Sequence, residues 1–390
     1  MDLDARITRR QRRSTDAALI TDFEPLSPVA HITEPSDRGP AFERLLDHFS
    51  PAFDGALPPN AYLHGPPGAG KSAVVSALFA RLARHATGDA VIHTSTRAGT
   101  PQPSTPASAM PAFVYVDRRT ATTPFAFSHA VLDALVSESV PTHGVSTAAI
   151  RDRLADAVAA HPTGVVVAVD HTTTAAPVAE LLTALPDRAR WLAVGRSEPS
   201  DAALTAHTDR DLRIDAYQRQ TLVGVVTTRA SLALGQHAFT QQHARRIAAW
   251  SDGNAHDALA ALAVAAHAAD SAGRSRLTDA DIEAGIQDVP RGGVVLGRPL
   301  AVSDAKQRVL AALLDTDATH GSVTEAADAV TATPGVSLSQ STVTRLLYEL
   351  SGDGIVERVR ATTTDSAGRP PSRVAVRFAP TAFRRLRARA

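Results

Sequence analysis

The segment Gly65-Pro66-Pro67-Gly68-Ala69-Gly70-Lys71-Ser72 constrains this chain more than any other. It fits G-x-x-x-x-G-K-[ST], and each residue type has a physical reason. Glycines let the backbone fold around a phosphate chain with N–H groups turned inward. A helix starting at Lys71 adds the positive end of its dipole. Lys71 offers an ammonium to β and γ phosphates, and Ser72 offers a hydroxyl to Mg²⁺. The context agrees: Ala61–His64 reads as a strand running into the glycines, and Val74, Val75, Leu78 and Leu82 follow at helical spacing. A Gly/Pro turn that happens to precede a lysine is the bland alternative. Composition weighs against it, since Lys71 and Lys306 are the only lysines and the remaining basic residues are all arginine. A planar guanidinium does not replace a compact ammonium in such a loop. The eight residues are therefore the candidate nucleotide site, with ATP or ADP and Mg²⁺ as expected cofactors.

A length of 390 residues suggests two or three domains. With 44% hydrophobic and 21% charged residues, disorder throughout is excluded. The absence of cysteine excludes disulfide scaffolds, thiolate zinc sites and cysteine nucleophiles, and suits a reducing cytoplasm. No apolar run approaches the ~20 residues of a membrane span, so no membrane partner is expected. The Arg-rich start lacks the apolar stretch of a secretory signal. Fifteen scattered histidines without H-E-x-x-H read as core or surface imidazoles rather than metal ligands.

Strands and helices alternate through the first half. Phe42–Phe49 is helical; Phe113–Val116, Gly164–Val169, Trp191–Val194 and Leu212–Ile214 read as strands. Phe127–Ser137, Thr147–Ala159 and Val178–Leu185 read as helices between them. This predicts an α/β fold with a parallel sheet. From Ala216 the strands stop, and Gln220–Leu234, Thr240–Ser251, Asp257–Asp270 and a capped helix from Thr278 predict an all-helical segment. The expected organisation is a flexible basic arm over 1–40, a nucleotide-binding core over 41–215 with a Thr/Pro-rich insertion at 94–111, and the helical segment over 216–290. A linker over 291–300 and a terminal module over 301–390 complete it.

Val165-Val-Val-Ala-Val169-Asp170 ends an apolar strand with a carboxylate. It matches the Walker B pattern, whose Asp helps to hold Mg²⁺; an Asp merely ending a strand is the alternative. Ser72 and Asp170 are thus the candidate metal-site residues.

Taken together, these residues resemble the archaeal origin-recognition replication initiators, AAA+ proteins related to the eukaryotic origin recognition complex. Pro58-Pro59-Asn60-Ala-Tyr-Leu-His-Gly65 looks like that family's approach to the phosphate loop, and Phe113-Val-Tyr-Val-Asp117 like its second strand. Ile214-Asp-Ala-Tyr217, with Arg229 beyond, is similar to its entry into the lid. Trp250-Ser-Asp-Gly253-Asn-Ala-His256-Asp-Ala-Leu259 resembles its sensor 2 helix, Leu277–Asp281 its lid-closing segment, and the last ninety residues its winged helix. The insertion and the histidine substitutions suggest a divergent haloarchaeal branch.

The resemblance implies an AAA+ core, a helical lid and a C-terminal winged helix, with Tyr217 and His256 joining the phosphate loop in the nucleotide site. It implies nucleotide held between core and lid as a switch that positions the winged helix on double-stranded DNA. Other replication proteins and self-association on DNA are further implied partners, and a cytoplasmic, nucleoid-associated location follows. Three departures stand out. His171 occupies the place of the Walker B glutamate, Gly195-Arg196-Ser197 lies where sensor 1 presents Asn, and His256 lies where sensor 2 presents Arg. His171 is the residue from which a base would act, with different geometry and charge, so binding with slow or absent hydrolysis is expected. Arg210 is a guess at an arginine finger; a solvated arginine is the simpler reading.

In the terminal module, Asp304–Leu314, Thr324–Thr331 and Ser339–Ser351 read as helices, followed by strands around Gly352–Arg360 and Arg373–Phe378. Val343, Leu346, Leu347 and Leu350 would face inward, leaving Thr342, Thr344 and Arg345 as DNA-facing candidates on the third helix. From Ser351 to Ala390 there are nine arginines against Asp353, Glu357 and Asp365, so a neutral chain ends in a basic module. Arg369 and Arg373 flank the expected wing tip and complete the DNA-binding candidates. Arg384–Arg389 read equally well as solvated charges. A nonhydrolysing transcriptional or plasmid-maintenance regulator of the same architecture is the alternative function. A P-loop kinase is disfavoured, because nothing after Ala216 offers a small-substrate site.

Overall fold

The computed structural model describes residues 18–31, 35, 38–86, 110–172, 175–198, 204–316, 322–360 and 372–389. They form two compact units, one spanning His31–Tyr217 and the other joining the described residues up to Ala30 with those from Gln218 on.

The first unit is built on a five-stranded parallel sheet of β1 (Ala61–His64), β2 (Ala112–Asp117), β3 (Val165–Thr172), β4 (Ala189–Gly195) and β5 (Arg210–Arg213), in the order β2-β3-β4-β1-β5. The uninterrupted apolar run of β3 is explained by burial on both faces. Val165, Val167 and Val169 point to a core shared with helices Pro124–Leu135, Thr147–Ala160 and Ala175–Thr183. Val166 and Ala168 point the other way, against helices Gly39–His48 and Lys71–Ala86. On that face Phe49 lies 5.5 Å from Phe79 and 5.8 Å from Phe113, ring centroid to centroid and edge-on. β3 runs through Asp170 and His171 to Thr172, so Asp170 lies within the strand rather than at its end.

The second unit begins with the helices Arg219–Ala233, Gln241–Ser251, Ala255–Ser271 and Asp279–Asp288. Thr240 and Thr278 each close a capping box, the latter with Asp281. The alanine-rich helix Ala255–Ser271 is buried almost all round, because its small side chains let its neighbours approach closely. Three helices (Asp304–Asp315, Val323–Thr331, Gln340–Gly352) and an antiparallel hairpin of β6 (Val356–Arg360) and β7 (Ser372–Val376) form the winged-helix module.

Three expectations are corrected. Residues 18–30 are part of the lid unit, not of a free arm. Ile20 bridges Leu234, the Thr21 N–H donates to the Ala233 carbonyl at 2.8 Å, and Leu19, Ile20 and Leu26 are buried. Buried Arg229 fastens the segment by donating to the carbonyls of Ser27 (2.6 Å) and Ala30 (2.9 Å). The Gly/Pro-rich linker contains a short helix, Gly297–Ala301. Finally, the terminal arginines, for which solvated charge and DNA contact stand equally open, make contacts within the unit. Pro380–Arg387 is a helix with Pro at its first turn, seated by Asp288, which accepts from the N–H (3.1 Å) and hydroxyl (2.8 Å) of Thr381. Arg384 pairs with Asp315 at 3.0 Å, Arg385 donates to Ser271 Oγ at 3.0 Å, and Arg389 lies 3.3 Å over the Phe23 ring. Lid and winged helix are thereby tied together within one unit. Among the described residues no helix is long and apolar enough to cross a membrane. The insertion at 94–109 and Arg369 lie outside the described residues.

Candidate functional site

β1 delivers the chain into the phosphate loop, and the helix Lys71–Ala86 leaves it. Gly65 and Gly70 adopt φ of +146° and +82°. A side chain at Gly65 would strike the Ile214 carbonyl, and one at Gly70 would lie 2.6 Å from the Tyr217 hydroxyl, so glycine is required at both. Lys71 is 8% exposed and turns back across the loop, its Nζ donating to the carbonyls of Gly65 (2.6 Å) and Pro66 (2.9 Å). Burial lowers its pKa to about 8; Arg196 and Arg38 push the same way, and Asp170 opposes them.

Asp170 is 2% exposed and both carboxylate oxygens are engaged. The Tyr115 hydroxyl donates to Oδ2 at 2.7 Å, and the His171 N–H donates to Oδ1 at 2.6 Å. Tyr115 reaches Asp170 because β2 and β3 run in register, with Asp117 beside Asp170. Burial and the neighbouring carboxylate push the Tyr115 phenol well up, so it stays a donor. One residue is inserted in β3: Val169 pairs with Ala193, but Thr172 pairs with Gly195. This bulge includes His171, whose φ is +63°. The His171 ring lies beside Asp170, with Nε2 3.7 Å from Oδ2. Burial lowers its pKa; Asp170 opposes this and Arg119 adds to it, so the ring is neutral at pH 7. Arg119 is itself held by Asp117, at 2.6 Å from Nη2 to Oδ2.

Gly195 also has a packing reason. A Cβ there would overlap the Tyr62 hydroxyl and lie 2.9 Å from Thr172 Oγ1, which excludes an Asn without repacking. The charge nearby comes from Arg196, one of the groups acting on both Lys71 and His171. Tyr217 is 8% exposed and packed against Gly70, with the Arg38 guanidinium 3.5 Å over its ring. Among the described residues, Arg38 Nε and Nη2 are buried without an acceptor.

These features fit a polyanion. The loop is a cradle that side chains would fill, and its surroundings are cationic with orphaned donors. Asp170 carries a carboxylate and Ser72 a hydroxyl, oxygen donors of the kind Mg²⁺ takes. Arg38, Tyr115, Arg119 and Arg196 were not among the sequence candidates. For Tyr115 the alternation of β2 and its parallel pairing with β3 were the available signal; for Arg38 there was none.

The second unit holds the other candidates. His256 Nε2 accepts the Leu296 N–H at 2.9 Å and Nδ1 donates to Asp257 at 3.0 Å. Both ring nitrogens are thus used inside the unit. On the helix Gln340–Gly352, Arg345 is exposed and paired with Glu349 one turn on; Thr342 and Thr344 are half-buried. The N–H of Thr342 is capped by Ser339 Oγ. Arg373 is exposed on β7.

Residues 37–194 match the family model described as AAA ATPase domain. Over 95% of its length the chain shares the fold of solved archaeal proteins. It is similar to the Aeropyrum pernix ORC1 protein solved in complex with DNA, at 20% identity and TM-score 0.60, covering 95% of this chain and 97% of that one. It is similar to the A. pernix ORC2 protein in ADPNP-ADP complexes, at 17% identity and TM-score 0.56, covering 95% and 97%. It is also similar to Cdc6p from Pyrobaculum aerophilum, at 16% identity and TM-score 0.55, covering 95% and 99%. No curated protein matches the chain. The domain match thus covers residues 37–194, and the solved structures show the fold.

Proposed function

We propose that this chain is an ATP-binding, DNA-binding protein of the replication-initiator kind, in which ATP or ADP acts as a switch and hydrolysis is slow or absent. One observation carries the reading: a cationic glycine loop stands with an engaged, buried Asp170, and the residue after that Asp is a neutral histidine in a strained bulge. Lys71 leaves the carbonyls of Gly65 and Pro66 for phosphate oxygens, which stabilise its charged form. Ser72 and Asp170 would hold Mg²⁺, which would neutralise phosphate charge. Tyr115 keeps Asp170 oriented, while Arg38 and Arg196 supply further donors. His171 lacks the carboxylate that would polarise water, and its buried ring is the only base next to Asp170 in the strand.

Similarity to a protein solved with DNA and to one solved with ADPNP and ADP supports duplex DNA as partner and adenine nucleotides as ligands. Other replication proteins and self-association on DNA complete the reading. The test is nucleotide binding and turnover by the native protein and by His171→Glu. Tight Mg²⁺-dependent ATP binding with slow turnover is expected; rapid turnover without DNA refutes the switch. The departures at His171, Gly195 and His256 favour one further reading, a nonhydrolysing transcriptional or plasmid-maintenance regulator. A genome-wide binding map separates the two: occupancy at promoters and not at origins selects the regulator.

A further inference from the structure

We propose that Tyr348 and Arg358 form a phosphate-contacting platform for duplex DNA, on the winged helix but separate from the wing tip. This rests on the DNA-binding reading above and adds to it which residues grip the backbone.

Tyr348 is 48% exposed, and among the described residues only Phe53 matches it as a large exposed hydrophobic side chain. The helical period explains why. Val343, Leu346, Leu347 and Leu350 are buried, which leaves Ser341, Arg345 and Tyr348 on the outer face. A phenol displayed at this position contributes nothing to the core.

Arg358 reaches the same place from the hairpin. Along β6, Val356 is buried and Arg358 is the next residue on that face, so the strand carries its core face outward onto the helix. Its guanidinium lies 5.1 Å from the Tyr348 ring centroid. Among the described residues no carboxylate pairs with it, whereas Arg345 shares Glu349 with Lys306, which is 3.3 Å from that carboxylate and 3.1 Å from Asp353. Arg358 is therefore the cation on this face whose charge is unspent. Arg373 is placed differently. It pairs with Val359, one residue out of step with Arg358, so the pleat turns it to the opposite face, and its backbone bridges Ser322.

The chemistry selects the occupant. A phenol O–H and a guanidinium are donors, and the last forty residues carry nine arginines against three acids. That surface complements phosphate. Tyr348 stands more than two turns past the N-cap Ser339. In helices that enter the major groove the N-terminal residues reach base edges, while later positions and the neighbouring hairpin meet the backbone. The platform therefore contributes affinity without sequence preference.

The test uses the full chain and two duplexes, a preferred site and a random sequence, titrated over a range of salt. Arg358→Ala is expected to weaken both about 5-fold and to lower the slope of log affinity against log salt by about one phosphate's worth, roughly 0.9. Tyr348→Ala should weaken both duplexes to a similar degree, and Tyr348→Phe less. Both residues are exposed, so melting temperatures should be those of the native protein. Unchanged affinity and slope in well-folded Arg358→Ala and Tyr348→Ala proteins overturn the platform. So does a loss confined to the preferred site, or a loss of a protein partner with DNA binding intact. If the native protein binds neither duplex, the DNA-binding reading itself falls.

Discussion

Replacing Lys71 by methionine should abolish nucleotide binding and yet stabilise the nucleotide-free protein. The lysine is 8% exposed, and burial takes its pKa from 10.5 to about 8. Below both values the charged form carries the whole penalty, about 3 kcal/mol at ~1.4 kcal/mol per pH unit. The native protein binds fewer protons than the unfolded chain between pH 8 and 10.5, so stability rises through that window. Methionine removes the penalty but also the two bonds to the Gly65 and Pro66 carbonyls, each worth about 1 kcal/mol. The net gain is about 1 kcal/mol at pH 7, a few degrees in melting temperature. Thermal melting without nucleotide, at pH 7 and again at pH 9.5, measures it. The advantage of Lys71→Met over native protein should disappear or slightly reverse at pH 9.5, where the native lysine is neutral and its remaining penalty is about 1.4 kcal/mol. Nucleotide affinity of the native protein should fall as pH rises past 8, because phosphate needs the charged ammonium. A Lys71→Met protein that melts below the native one at pH 7, or a gap that widens at pH 9.5, refutes the strained-lysine account.

Tyr115→Phe removes the donor to Asp170 Oδ2; it should cost about 2 kcal/mol in the nucleotide-free protein and raise the Mg²⁺ concentration needed for ATP binding, with Mg²⁺-free affinity unchanged. Titration of Mg²⁺ at fixed nucleotide reads this. Gly195→Asn should cost about 1–3 kcal/mol in denaturant unfolding and restore no turnover, since its Cβ meets Tyr62 and Thr172. Arg229→Ala should release the segment 18–30 from the lid, seen as faster amide exchange at Thr21 and Asp22 and as new protease cleavage.

The parts of this molecule that read well from sequence follow local rules. The phosphate loop, the apolar β3 and the capped start at Thr278 each carry their signal within a few residues. Helix spacing likewise separated Val343, Leu346, Leu347 and Leu350 from the outer face of their helix. What was not legible depends on partners distant in the chain. Residues 18–30 look like an arm because their buried neighbours, Arg229, Ala233 and Leu234, lie two hundred residues on. The arginines of Pro380–Arg387 look solvated until Asp315, Ser271 and Asp288 are brought beside the helix. Tyr115 looks like a core aromatic until strand register sets its hydroxyl on Asp170. His171 shows the reverse case: its identity was plain, but its positive φ comes from a bulge that only the pairing of β3 with β4 reveals.

The central claim is that nucleotide bound at the phosphate loop governs DNA affinity. It is tested most directly by measuring binding of the full chain to its preferred duplex, at fixed salt, without nucleotide, with Mg²⁺ and ADP, and with Mg²⁺ and a nonhydrolysable ATP analogue. A coupling of about 1–3 kcal/mol, or 5- to 150-fold, between the nucleotide-free and nucleotide-bound proteins is expected, and it should vanish in Lys71→Met. Equal affinity in all three states, or a nucleotide effect that survives in Lys71→Met, would contradict it.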